Sequence, residues 1–227
     1  MSSIINFKNI FSNLENEFYV IIKLNPSFPI FTKGSDIDIF CFNIDKVVSV
    51  ILFNLNELTD SYKIQLTKKN ETHFYIDILE KNGDIYFRFD LYSALPKYYN
   101  LNIKESFFYA CVYESQKKKI DDYFIKVVSD ENEAILRYIE YHEWYSSRPD
   151  KIKHIDYILE NRLNNKSFFD RLHYFIAFNE TLECEKKSFF KNWFEFFEGY
   201  LNKIKIVYNY IKTRGLKPTL IKIKEKL

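Results

Sequence analysis

The sequence predicts an α/β (α+β) protein, with a small sheet-containing domain over residues 1–100 and an all-helical domain over residues 101–227. Three observations carry that expectation. Apolar periodicity changes near residue 100, from short β-type runs to long stretches at helical spacing. Within the first part, an Asn-Gly turn joins two alternating runs, which is a strong hairpin signal. Only four glycines and five prolines punctuate 227 residues, so long flexible linkers have little material to form from.

Residues 18–23 (FYVIIK) are β-branched and aromatic and read as a strand, and the NPSFP stretch at 25–29 must break it. Residues 37–42 (IDIFCF) begin a second strand by alternating apolar with acidic residues, which puts Asp36 and Asp38 on one face. Residues 45–58 place Val47, Val50, Ile51 and Leu55 at helical spacing, with Asp45 as the expected cap. A hairpin follows, residues 73–79 and 85–91 joined through Lys-Asn-Gly-Asp at 81–84. Its second strand buries Ile85, Phe87, Phe89 and Leu91, so Tyr86, Arg88 and Asp90 share the opposite face. Beyond Pro96, residues 104–118, 130–145, 149–163, 166–178 and 186–212 all read as helices.

Composition narrows the classes of function. With 47% apolar and 19% aromatic residues the chain has ample material for a core, which excludes general disorder. The 33 basic and 31 acidic residues leave +2 overall, so nucleic acid is not the default partner. The one basic concentration is the tail, where eight basic groups from Lys203 onward face Glu225 alone. It reads first as a solvated helix face, with an electrostatic grip on RNA, DNA or anionic lipid as the alternative. No apolar run nears the roughly 20 residues of a membrane span, and the start lacks a leader's apolar core, so a soluble cytoplasmic protein is expected. Cys41, Cys111 and Cys184 are far apart without a CxxC pairing, which encodes neither a disulfide framework nor a zinc knuckle. HExxH, Cys-His and Ser-His-Asp signatures are absent, removing support for those hydrolase chemistries.

The informative string is FTKGSDIDIF, residues 31–40. Two carboxylates separated by one apolar residue on a strand project to the same side, with Cβ atoms roughly 6–7 Å apart. Their repulsion calls for a cation, and hard oxygen ligands suit Mg²⁺, which usually takes one or two carboxylates plus substrate phosphates. Gly34 and Ser35 just before them offer a flexible backbone and a hydroxyl for phosphate oxygens. A third carboxylate on a neighbouring strand would complete a two-metal site. Asp90 is the choice, but Asp77 also lies opposite an apolar trio, Phe74, Ile76 and Ile78, and face logic does not separate them.

These residues resemble the polymerase-β-type nucleotidyltransferase superfamily, in which Gly-Ser and an Asp-x-Asp pair are followed by a third Asp on a later strand. The likeness covers residues 18–91 at most, and its layout is most similar to nucleotidyltransferase-like proteins of bacterial surface-polysaccharide loci. It implies a mixed sheet flanked by helices, magnesium, and transfer of a nucleoside monophosphate from an NTP to a small acceptor. It further implies that Asp36 and Asp38 are metal ligands, with Asp90 as third ligand and base. In one respect the chain departs from the family. Where the fuller pattern has a separate Gly-Ser at the end of the first strand, this sequence reads KLNPS at 23–27, which leaves Lys23 or Lys33 to neutralise a triphosphate. That departure motivates a second expectation, a nucleotide- or polymer-binding module of the same fold without turnover, in an assembly or antitoxin-like role.

Other polar residues have bland readings beside sharper ones. Arg88 could bind phosphate bidentately or pair with an acid. Residues 138–154, with His142, Arg148, Lys151 and His154 around a break at Pro149, would bring polar groups to one corner, there to hold a base or a sugar or simply to pack. His73 and His173 read as partly buried core histidines.

Overall fold

The computed structural model describes residues 4–99, 101–162 and 166–177. The chain divides into two compact units, Met1–Asn179 and Glu180–Leu227, and all described residues belong to the first. The expected helix at 186–212, the basic tail and Cys184 lie outside the described residues.

The expected α/β class is what the chain adopts. A seven-stranded mixed sheet is built from β1 (Tyr19–Ile21), β2 (Ser35–Cys41), β3 (Lys63–Asn70), β4 (His73–Leu79), β5 (Ile85–Tyr92), β7 (Gln116–Ile120) and β8 (Tyr123–Val127). A two-stranded ladder pairs β6 (Asn102–Ile103) with β9 (Ile176–Ala177). The sheet order is β3-β4-β5-β2-β1-β8-β7. Strand β2 runs parallel to β5 and antiparallel to β1, and β1 runs parallel to β8. Helices α1 (Phe7–Asn13), α2 (Ile44–Leu55), α3 (Ser106–Tyr113), α4 (Asp130–Trp144), α5 (Ile152–Arg162) and α6 (Lys166–Phe175) cover the sheet.

Alternation along the strands gives each sheet face its own core. On one face Ile37, Ile39, Ile76, Phe87, Phe89 and Leu91 pack with Phe7, Ile10 and Phe11 of α1 and Val47, Val48 and Ile51 of α2. On the other, Val20, Ile22 and Phe40 pack beneath Phe107, Phe108, Ile135, Ile139, Phe168 and Leu172 from α3, α4 and α6. This second apolar layer does not extend over the whole face. Along β2 the residues pointing that way pass from buried Phe40 through half-buried Asp38 to exposed Asp36, so the strand emerges from under the helices at the acidic pair.

Several elements differ from the sequence expectation. The helix expected over 104–118 ends at Tyr113, and the chain returns as the β7–β8 hairpin, turning at Asp121 with a φ of 48°. The sheet therefore draws two of its seven strands from beyond residue 100. Those strands and β3 were not legible because two of them are the sheet edges, KIQLTKKN and QKKKI, whose lysines protect an edge from further pairing and erase the apolar alternation. Helix α1 was also missed, although Phe7, Ile10, Phe11 and Leu14 bury one helical stripe. Helix α2 is capped by Asn43, whose side chain accepts from the Lys46 amide at 3.0 Å, and not by Asp45, which lies in the first turn. Asn43→Ala is expected to cost about 1 kcal/mol, read as a fall in the denaturant midpoint at unchanged slope. Among the described residues, no helix is long and apolar enough to cross a membrane.

Candidate active site

The parallel pairing of β2 with β5 brings the acids together. In its register Asp36 lies opposite Arg88 and Asp38 opposite Asp90, all four on the face that the helices leave open beside Phe40. Neighbouring strands sit about 4.8 Å apart, so Asp90 faces Asp38 directly across one strand spacing. Asp77 is on the same face, but β4 lies one strand further out, and there Asp77 pairs with Arg88. The guanidinium grips it with two hydrogen bonds, Nε to Oδ1 at 2.6 Å and Nη2 to Oδ2 at 2.9 Å, and lies over the Tyr75 ring at 4.4 Å. Of the two acids that the sequence left undecided, Asp90 stands beside the pair and Asp77 is neutralised by an arginine.

The Asp90 carboxylate is held in place. His73 Nε2 lies 2.7 Å from Oδ1, and the Tyr92 hydroxyl donates to Oδ2 at 3.1 Å. The imidazole stacks on the Tyr92 ring at 4.1 Å between centroids. Burial, aided by the Lys69 and Arg88 cations, lowers His73 to about 4, so near pH 7 the ring is neutral and its Nε2–H donates to Asp90. His73 is therefore no plain core histidine: it is partly buried, as expected, but its polar edge serves the acid site. His173 is exposed, against expectation. Period two along β4 carried a signal, since His73 shares the Tyr75 and Asp77 face.

Negative charge is concentrated here with little to balance it. Burial pushes the Asp38 carboxyl up to about 7; the Lys23 ammonium pulls against this, and Asp36, Asp90 and Glu140 add to it. Burial likewise pushes Asp90 up to about 6, opposed by the Tyr92 hydroxyl and Arg88 and reinforced by Asp36. Lys23, just past the end of β1, sits with Nζ 3.8 Å from Asp38 Oδ2 and forms an ion pair with Glu140 of α4. Burial alone would lower its ammonium, but Glu140, Asp38 and Asp36 outweigh burial and hold it above the ordinary range. Glu140 was not singled out from the sequence, although it lies in the 138–154 segment. The break at Pro149 does bring that segment's polar groups to one corner: Lys151 Nζ reaches Glu140 Oε2 at 2.8 Å and His154 Nε2 lies 2.9 Å from it. His142 packs against Tyr138 instead, and Arg148 is exposed beside Asp150.

The residues expected to cradle phosphate are differently placed. Thr32 to Ser35 form a tight turn in which Gly34 takes a φ of 80°, a conformation that glycine adopts without strain. The Gly34 amide donates to the Tyr86 carbonyl and the Ser35 amide to the Thr32 carbonyl, both at 3.0 Å. Ser35 alternates with Ile37 and Ile39 onto the sheet face away from the carboxylates, and its hydroxyl lies 3.2 Å from Thr32 Oγ1. Lys33 reaches back to the β4–β5 turn, 2.8 Å from Glu80 and 3.0 Å from Asp84. Of the two lysines, Lys23 adjoins the acidic pair and Lys33 does not.

The donor set of Asp36, Asp38 and Asp90 is chemically suited to a hard divalent cation, since it consists of carboxylate oxygens on adjoining strands whose charge exceeds their counter-charge. As the side chains stand, no group of three His, Cys, Asp or Glu among the described residues is gathered into a metal-holding arrangement. Asp90 turns to His73 and Tyr92 while Asp38 leans to Lys23.

No protein-family model matches the chain, and no curated protein matches it. Two solved Helicobacter pylori structures align with it. The protein JHP933 matches with a TM-score of 0.32 and 11% identity, over 64% of this chain and 65% of that one. A protein provisionally named a nucleotidyltransferase matches with a TM-score of 0.32 and 10% identity, over 64% of this chain and 67% of that one. The chain therefore spans about two thirds of the length of either structure. With likeness this low, the geometry of the carboxylate face is what bears on function.

Proposed function

We propose that this protein is a magnesium-dependent nucleotidyltransferase that moves a nucleoside monophosphate from an NTP onto the hydroxyl of a small acceptor and releases pyrophosphate. The observation that supports this is the parallel register setting Asp90 opposite Asp38, with Asp36 two residues along on the same face. Asp36, Asp38 and Asp90 would hold the magnesium, which when bound supplies charge neutralisation and alignment for the phosphates. Asp90 is the group to take the acceptor hydroxyl's proton, since the register sets it beside the pair on the open face of the sheet. His73 and Tyr92 fix the direction in which that carboxylate points. The Lys23 ammonium stands beside Asp38 on the side covered by α4, as the positive group nearest the acids in place of the family's first Gly-Ser. A sugar or sugar phosphate, as in surface-polysaccharide synthesis, is the acceptor class proposed.

Pyrophosphate release, assayed with each NTP, Mg²⁺ and a panel of sugar phosphates, tests the proposal. Turnover is expected with at least one pair and is expected to vanish with EDTA; full activity in EDTA would refute it.

A second reading is a nucleotide-binding module without turnover. It is favoured by the commitment of Asp90 to His73 and Tyr92 and of the Gly34 and Ser35 amides to carbonyls. Calorimetry distinguishes the two, because nucleotide binding indifferent to Mg²⁺ and without product belongs to the second.

A further inference from the structure

We infer that Lys23 is a resident counter-cation of Asp38, so that the carboxylate set takes one divalent ion and not two. The inference rests on the metal-site reading above and adds the ion count. Lys23 follows β1 directly, and the backbone beside it is fixed by the Ile22 amide donating to the Asp38 carbonyl at 3.1 Å. Its Nζ lies 3.8 Å from Asp38 Oδ2 and is ion-paired to Glu140. Glu140 in turn cannot readily move away. Lys151 Nζ donates to its Oε2 at 2.8 Å and the His154 ring packs beside the same oxygen, and both residues are buried, at 8% and 3% exposure.

A part-buried carboxylate held by a second, buried lysine is an anchor, and the ammonium attached to it is a fixed positive charge. Breaking such a pair leaves an uncompensated buried charge, so the ammonium stays. A divalent ion on the same Asp38 oxygen would then sit within a few ångström of that charge, where little solvent screens the repulsion. Asp36, the other oxygen of Asp38 and the lone pairs that His73 and Tyr92 leave on Asp90 remain for a single ion. Glu140 is on this account a positioning residue, acting through Lys23.

Titrating Mn²⁺ alone into the full chain at pH 8, and following the loss of the free-ion electron paramagnetic resonance signal, counts the ions. The wild type is expected to bind one Mn²⁺. Lys23→Met, which keeps the apolar stem, should gain a second site within about tenfold of the first in affinity, and Lys23→Gln should do the same. Glu140→Gln, which loosens the ammonium without removing it, should admit a second, weaker ion. Circular dichroism confirms that each variant is folded. Two ions of like affinity in the wild type, both lost in Asp36→Asn/Asp38→Asn, would overturn the role of Lys23 and leave the metal reading intact. So would a single ion persisting in both folded Lys23 variants. A single ion in Glu140→Gln would overturn the part given to Glu140. No saturable Mn²⁺ in the wild type, or binding that survives the double aspartate variant, would overturn the metal reading and this inference with it.

Discussion

Asp38→Asn is expected to abolish pyrophosphate release while making the metal-free protein more stable. The loss should be on the order of 10³-fold or more, because a metal-site carboxylate acts on transition-state charge and an amide cannot replace it. The gain in stability follows from linkage. Burial raises the Asp38 carboxyl to about 7, from an ordinary 3.8, so the folded state holds a proton that the unfolded chain has already released. Such a group contributes stability that is complete below about pH 4 and lost as pH rises through the folded value near 7. Asp90, raised to about 6, acts in the same direction. The melting temperature of the metal-free wild type should therefore decline between pH 5 and 8. The rise from 3.8 to about 7 sets a ceiling of about 4 kcal/mol for Asp38, and partial exposure and relaxation reduce the expected gain at pH 8 to roughly 1–3 kcal/mol. Asp38→Asn should flatten the decline, as should added Mg²⁺ in the wild type. Calorimetric scans across that pH range check this: a slope unchanged in Asp38→Asn would sink the explanation.

Asp77→Asn and Asp90→Asn are expected to fail in opposite ways. Asp77 is 6% exposed and carries both hydrogen bonds of Arg88, so removing its charge strands a half-buried guanidinium. Loss of one partner of a buried pair costs about 3–5 kcal/mol, and the partial exposure of Arg88 brings this to roughly 2–3 kcal/mol, several degrees in melting temperature. Its turnover at low temperature should change less than about tenfold, because Asp77 lies one strand beyond the carboxylate pair. Asn in place of Asp90 still offers an oxygen to His73 and an NH₂ to the Tyr92 oxygen, so stability should hold within about 1 kcal/mol. Turnover should fall by about 10²–10⁴, the range associated with a positioned base. Melting curves paired with pyrophosphate assays separate the two. An active Asp90→Asn beside a stable, inactive Asp77→Asn would reverse the assignment.

Period-two alternation made much of the site legible beforehand. It assigned Asp36 and Asp38 to one face of β2 and Arg88 and Asp90 to one face of β5, while the Asn-Gly turn placed the hairpin. The lysine-rich edges were not legible, because an edge strand buries little and its polar pattern resembles loop or charged helix. Lys23 was considered as a counter-charge to phosphate, but nothing local pairs it with Glu140, 117 positions away. The capping of α2 by Asn43 over Asp45 was a matter of two residues, decided by where the strand before it ends.

What the sequence determined alone is local: where the apolar strands lie, which side chains share a face, and that carboxylates recur opposite the apolar face of three strands. What only tertiary structure decided is which strand stands next to which. Face logic gave Asp77 and Asp90 equal standing, and the order β4-β5-β2 sets them apart in position, with β5 against the acidic strand and β4 a spacing further out. That order comes from burying the two apolar faces under α1 with α2 and under α3 to α6, a non-local requirement to which each strand contributes only its own alternation.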